Sequence, residues 1–496
     1  MADAAVQLDP ADTETEAAPP KRLDLIPRGL GALEAKLRRD LDILDYPARP
    51  WVPPRTTRSG EPILNALIVG GGQGGLAVAF GLMREKVDRV LVVDAQPRDR
   101  EGPWLRFARM KTLRTPKHVL GPDQGIPDLS IRAWYEAQHG PGSWEAVGFV
   151  PRETWARYIG WYRDFLGIPV RSETRVGAMR WNEDDQCFDV PVETRTDEGT
   201  KAETLHARKV VLATGIEGSG QWFVPEVVKG SLPETRWAHT HERIDFDALK
   251  GKRVAVLGAG ASAFDNASVA LENGAASVDL YFRREELVRV NVYRWAEFVG
   301  FLHHHGDLDD ATKYRFIHRF FTAGQLPPAP TFERATKHET FQMHPGSPWE
   351  KTWVEDEVVK VRTPHGVFEH DYVICGTGFR TDLASRPELS EVEQHIARWA
   401  DRFTPPEGEA IAELLRHPYL GPSFEMTARD PEAAPWLKGL FNYNFGCLLS
   451  LGLGGASISG MKYSVRRIVG GITKQLYLED AATHLETLAA YDEKDF

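Results

Sequence analysis

The segment Ile63–Val69 (ILNALIV) is a nearly unbroken apolar run, and Gly70-Gly71-Gly72-Gln73-Gly74-Gly75 follows it directly. A run of that length without alternation suits a strand buried on both faces of a parallel sheet. Gly70, Gly72 and Gly75 satisfy the G-x-G-x-x-G spacing, with Gln73 among them. The first glycine allows a tight turn, the second lets backbone approach a pyrophosphate, and the third lets the next helix pack on the strand. Leu76–Met83 reads as that helix and Arg89–Asp94 (RVLVVD) as the following strand, which completes a βαβ unit. Asp94 lies nineteen residues past Gly75. That is the place where a carboxylate accepts a hydrogen bond from an adenosine ribose hydroxyl.

The pattern returns downstream. Arg253–Leu257 (RVAVL) reads as a strand, Gly258-Ala259-Gly260-Ala261-Ser262-Ala263 as a G-x-G-x-x-A turn, Ala263–Glu272 as a helix and Ser277–Phe282 as a strand. The position equivalent to Asp94 holds Arg283, followed by Arg284. A carboxylate there would repel a 2′-phosphate, whereas arginine pairs with one bidentately. The first unit is therefore expected to bind FAD and the second NADPH (NADP+). Each unit continues into a hairpin, with turns at Asp197-Glu198-Gly199 and Pro364-His365-Gly366, and then a strand ending Thr-Gly. These strands are Lys209–Gly215 and Asp371–Gly378, which adds Thr214, Gly215, Thr377 and Gly378 to the expected cofactor contacts.

The fold class follows: α/β, with two doubly wound Rossmann-like dinucleotide-binding domains and the NADPH domain inserted in the FAD domain. Residues 1–60 are assigned to an acidic tail, a short helix over 31–46 and a Pro-rich linker. Residues 61–249 are the first part of the FAD domain. Residues 250–378 are the NADPH domain, with a substrate-covering insertion over 285–355, and 379–496 complete the FAD domain.

A formal net charge of −11 argues against a nucleic-acid partner. Cys187, Cys375 and Cys447 are far apart, with no Cys-x-x-Cys, so reduced thiols in a cytoplasmic protein are expected, and no redox-active disulfide. The Ala/Pro-rich start lacks the features of a signal peptide, and residues 1–22 are expected to be poorly ordered. The longest apolar runs, Ala66–Met83 and Phe445–Met461, are interrupted by glycines, so no membrane span is expected. His303-His304-His305 cannot share one face of a helix or strand, and no metal is expected there. A homo-oligomer is compatible with this composition.

Together with the Ala213-Thr214-Gly215 and Thr377-Gly378-Phe379 turns, these units resemble class B flavin-dependent monooxygenases over roughly residues 63–380. That family includes flavin-containing, N-hydroxylating and Baeyer–Villiger enzymes. Its linker fingerprint places a histidine before the second glycine loop. Here His239 has that distance, although the Gly230-to-His239 spacing is longer and Thr240 replaces the Trp of Baeyer–Villiger enzymes. Met110–Lys117 (MKTLRTPK) is similar to the L-K-D-L-x-T-P stretch of amine N-hydroxylases, whose lysine contacts the substrate's carboxylate. The resemblance thus implies substrate contacts for Lys111 and Arg114, with His239 and Asn291 as further pocket residues. It also places Trp104 against the flavin, and Gly454–Ser457 is a candidate helix opening near its carbonyl end. The implied activity is oxygenation of a small heteroatom-containing substrate, foremost amine N-hydroxylation, by NADPH and O2 through a C4a-hydroperoxyflavin. A Baeyer–Villiger or S-oxygenating enzyme, or a non-oxygenating NADPH:acceptor oxidoreductase, is the alternative.

Overall fold

The computed structural model describes residues 26–45, 49–119 and 121–496. The tail over 1–22 lies outside them. The short helix expected over 31–46 runs Leu30–Ile43 and buries Leu33 and Leu37.

The first sheet has nine strands. Its parallel block runs in the order Val170–Arg171, Val90–Val93, Pro62–Val69, Gly199–Leu212 and Leu440–Asn442. Gly199–Leu212 serves twice. Residues 199–207 form an antiparallel hairpin with Cys187–Thr196, and residues 206–212 run parallel to Pro62–Val69. The second sheet is wholly parallel, in the order Phe341–His344, Ser277–Tyr281, Arg253–Leu257, Tyr372–Cys375 and Trp237–His239. The two parallel blocks therefore match strand for strand. Their fifth strands come from different places: Leu440–Asn442 in the first, and Trp237–His239 in the second. The second unit thus begins before residue 250, because the linker itself fills the vacant edge beside the Thr-Gly strand.

The segment 285–355 is not one covering body. Helices Val292–Trp295, Val299–His304 and Asp310–Ala323 bury Tyr314, Ile317 and Phe320 against Trp399, Leu414 and Leu449 of the C-terminal third. Helix Ala329–Thr336 instead buries Ala335 in the NADPH-side core, and Phe341–His344 is an edge strand of that sheet. Residues 292–323 leave the doubly wound plan, and Lys351–Glu355 joins a separate antiparallel three-stranded sheet.

Both glycine turns are dictated by backbone crowding. Gly70 and Gly258 have φ of 111° and 121°. A Cβ on either would stand 2.4 Å from the Ala213 carbonyl oxygen or 2.3 Å from that of Gly376. The third fingerprint position differs in an instructive way. In the first unit a Cβ on Gly75 would stand 1.9 Å from the Gly70 carbonyl oxygen, and the turn position carries Ala213. In the second, Ala263 faces Gly376, where a Cβ would lie 2.6 Å from the Ala263 methyl. One methyl group has changed sides.

Helix Met461–Glu479 packs on Gln73–Arg84, where a Cβ on Gly81 would lie 2.6 Å from a Val469 methyl. Its end is fixed by charge. The Arg208 guanidinium, side chain 1% exposed, donates to Asp480 at 2.7 Å and Glu479 at 3.1 Å. Arg55 reaches Asp480 at 2.6 Å and Lys209 reaches Glu479 at 2.5 Å. Removing one partner of such a group leaves buried charge uncompensated, at about 3–5 kcal/mol. Asp480→Ala is expected to destabilise the protein by that amount in urea unfolding.

Candidate active site

The first cradle is a cavity of about 440 Å³ at the carboxyl ends of the parallel strands, where doubly wound sheets bind ligands. Gly70, Gly72, Gln73, Asp94, Trp104, Thr214 and Gly215 all line it. Gly72 caps helix Gln73–Arg84, whose free amides and positive end suit a diphosphate. Gly75 lies behind the turn, where a Cβ would sit 1.9 Å from the Gly70 carbonyl oxygen. The Asp94 carboxylate accepts from the Gly71 amide at 2.7 Å and the Gln96 amide at 2.8 Å. Burial pushes its pKa up while those amides pull it down. Gln73 is held by the Trp155 indole N–H at 2.9 Å, and Trp155 meets Trp104 edge-on at 6.4 Å. Thr214 accepts from the Asn444 amide at 3.1 Å, and the Asn444 carbonyl oxygen accepts from Ser219 at 2.8 Å.

Gly455 and Ala456 also line this cavity, but the helix opens at Met461 and not at residues 454–457. Gly455 (φ 49°) turns so tightly that a Cβ would lie 2.7 Å from the Asn444 nitrogen. Sequence reading missed Arg106, Phe107, Glu217 and Arg386, which line the cavity as well. Arg106 and Phe107 were within reach, because they follow Trp104 directly. Glu217 and Arg386 come from distant loops and carry no local signal.

The second cradle is a cavity of about 650 Å³ lined by Gly258, Gly260, Arg283, Arg284, Thr377 and Gly378, and also by Tyr281, Trp349 and Arg380. Ala263 is buried behind it, and Ser262 is exposed on the helix. Arg283 is exposed and has no hydrogen-bond or ion-pair partner among the described residues. Arg284 is committed elsewhere. It donates to the Ala323 carbonyl at 2.9 Å and the Thr322 carbonyl at 3.0 Å, holding the end of helix Asp310–Ala323. The Thr377 hydroxyl donates to the Phe223 carbonyl, and the Arg380 guanidinium lies 3.4 Å from the Phe223 ring centroid. The free guanidinium of Arg283 at the strand end can hold a 2′-phosphate.

Between the cradles stands an aromatic wall. Trp222 stacks on His241 with centroids 4.6 Å apart, and meets Phe107 edge-on at 5.7 Å and Phe379 at 6.1 Å. His239 is fully buried in this wall, its Nδ1 2.8 Å from His241 Nδ1. One Nδ1 must donate and the other accept, so the accepting ring is neutral, and burial disfavours charge on either. Burial pushes His239 down to about 4 and His241 down to about 3.

His239 lines neither cavity, nor do Lys111, Arg114 and Asn291, so the structure does not gather these four into one pocket. Lys111 pairs with Glu272 at 3.0 Å and Arg114 with Asp265 at 2.7 Å, both carboxylates on helix Ala261–Glu272. Asn291 caps helix Val292–Trp295 by accepting from the Arg294 amide at 3.2 Å. Elsewhere, Cys187, Asp189 and His206 bring potential ligand atoms within 4.8 Å of one another. Asp189 is already committed to Arg180, Asn182 and His206.

Two dinucleotide cradles, one ending in a carboxylate and one in a free arginine, define a two-cofactor flavoprotein oxidoreductase. Comparison with known proteins narrows the class. Residues 67–295 match the pyridine nucleotide-disulphide oxidoreductase family. All three cysteines are buried and unpaired, so the chain shares that scaffold without its disulfide. An FAD-dependent urate hydroxylase of Xanthomonas campestris pv. campestris is 43% identical over 475 residues, spanning 94% of this chain and 97% of that one. Among solved structures, the ornithine hydroxylase of Pseudomonas aeruginosa superposes with a TM-score of 0.64 at 14% identity, over 84% of this chain and all of that one. The ornithine N-hydroxylase of Kutzneria sp. 744, with reduced FAD and NADP+, gives 0.62 at 16% identity, over 84% of this chain and all of that one. The chain belongs to the same family as that FAD-dependent urate hydroxylase, and it shares the fold of the flavin-dependent N-hydroxylases. It is an FAD-dependent oxidoreductase. Among the described residues no helix is long and apolar enough to cross a membrane.

Arg283→Ala is expected to raise the NADPH KM at least ten-fold, about 1.4 kcal/mol of phosphate pairing, and to leave the NADH KM unchanged. Steady-state kinetics with both nucleotides checks this. A second expectation concerns acid. Burial also pushes His305 and His417 down to about 4, from an ordinary 6.5. Below 6.5 the unfolded chain binds protons that the folded chain refuses. Stability is therefore full above pH 6.5 and falls towards pH 4, by up to about 1.4 kcal/mol per pH unit for each such histidine. Urea midpoints measured across that window should fall, and His417→Gln should flatten the slope.

Proposed function

We propose that this protein hydroxylates a small, planar, nitrogen-rich ring of the urate type, using NADPH and O2. The observation that carries this reading is the 43% identity to the urate hydroxylase over nearly the full length of both chains. The site agrees in character. The Arg106 guanidinium is exposed in the first cavity with no ion-pair partner among the described residues, next to Phe107 and the Trp222–His241 stack. A guanidinium beside aromatic faces suits a flat ring that is an anion at neutral pH.

Bound FAD, once reduced, supplies the oxygen activation, so no protein nucleophile or metal is needed. The chain's own task is placement and dryness. The amides of the first glycine turn receive the diphosphate, Asp94 receives a ribose hydroxyl, and the aromatic wall keeps water from the space between the cradles. The neutral His239–His241 pair stands within that wall and adds no charge to it.

Amine N-hydroxylation is the second reading, favoured by the MKTLRTPK loop. It ranks lower because Lys111 and Arg114 already carry carboxylate partners of the protein.

A panel of urate, related oxopurines, ornithine, lysine, sulfides and ketones decides between them, with NADPH consumption and product mass as readouts. Urate or an oxopurine should accelerate NADPH oxidation and yield a product containing one added oxygen. Turnover confined to amines would overturn the urate reading, and NADPH consumption without oxygen incorporation would remove both. Arg106→Ala is expected to raise the substrate KM about ten- to a hundred-fold, the worth of a charge-assisted hydrogen bond.

A further inference from the structure

The loop that begins in the FAD-side cavity does not end there. Phe107 lines that cavity, and the chain then runs directly along the NADPH unit. The Arg109 guanidinium donates to the Glu242 carbonyl at 2.7 Å and the Thr240 carbonyl at 3.3 Å, gripping the turn after His239. Lys111 meets Glu272 at the last residue of helix Ala261–Glu272, and Arg114 meets Asp265 one turn from its start. Arg334 closes the circuit. It donates to both Glu272 carboxylate oxygens at 2.9 and 2.6 Å, and to the Arg109 carbonyl at 3.0 Å.

These contacts are unequal. Lys111 is 64% exposed, and an exposed pair contributes little. The Asp265 side chain is only 3% exposed, so the Arg114 guanidinium at 2.7 Å, with Arg334 at 3.8 Å and the Thr331 hydroxyl at 3.5 Å, compensates a carboxylate that water cannot reach. The helix carrying Asp265 is the one opened by Gly258 and Gly260, which line the second cavity. A rigid path thus joins the flavin-side wall to the nucleotide-side turn.

We infer that Arg114 is a positioning residue: through Asp265 it sets the NADPH cradle against the FAD cradle, and so fixes the gap that the hydride crosses. Hydride transfer needs the reacting atoms about 3–3.5 Å apart, and about 1 Å of misplacement costs about a hundred-fold in rate. Arg114 touches neither cavity, so this role is separate from cofactor affinity and from the identity of the substrate.

The test uses the FAD-loaded full-length protein. In anaerobic stopped flow without substrate, Arg114→Ala should slow flavin reduction by NADPH ten- to a hundred-fold. The NADP+ dissociation constant from calorimetry should stay within about two-fold. Asp265→Asn should act similarly, and the double variant should be no slower than Asp265→Asn, because Arg114 acts only through Asp265. In cofactor-free protein, amide hydrogen exchange should quicken in both 108–116 and 261–272. Arg114→Lys keeps the charge and should recover much of the rate, while Lys111→Ala, at an exposed position, should cost less than three-fold. Wild-type reduction in Arg114→Ala would overturn the proposal. So would additive losses in the double variant, or a loss of NADP+ affinity that matches the loss of rate. Should Arg114→Ala fail to fold, Arg114→Lys and Asp265→Asn carry the same test, and wild-type reduction in Asp265→Asn would overturn it.

Discussion

Everything in this molecule depends on a strand turning into a helix with no room for a side chain at the corner. At Gly70 the backbone passes so close to the Ala213 carbonyl that only hydrogen fits, and at Gly258 the Gly376 carbonyl imposes the same limit. Because the corner is this tight, the helix starts at the end of the sheet, and its unpaired amides face open space. The Thr-Gly strand that crowds the corner also forms the other wall of the cradle. Packing and binding are thus one constraint, met twice in a single chain.

That double use explains why so much was legible in advance. The strands, both hairpin turns and both glycine corners are local patterns, fixed by residue type at short spacing. The places of Asp94 and Arg283 at the two cavities were legible for the same reason, since each stands at a fixed distance from its glycines. The fifth strand of each sheet was not. Trp237–His239 and Leu440–Asn442 are three residues long, and they join their sheets because an edge is vacant, not because their own sequence demands a strand.

Side-chain roles were least legible where they depend on what lies across a domain boundary. The MKTLR loop reads equally well as a substrate contact or as a brace, because either use wants exposed cations. Asp265 and Glu272, more than a hundred residues away, are the partners that this loop takes in the structure. Asn291 likewise has the chemistry of a pocket residue and the position of a helix cap. His239 is different again. Its place before the second glycine loop was readable, but its neutral partnership with His241 depends on the Trp222 wall.

The methyl group that changed sides between the two corners has a further implication. With alanine at both the helix and the turn, two methyls would meet at 2.6 Å, while glycine at both leaves a gap. The two halves of this scaffold are therefore not interchangeable parts. Grafting the Ala-Thr-Gly turn of the first unit onto the second would need a compensating glycine at position 263.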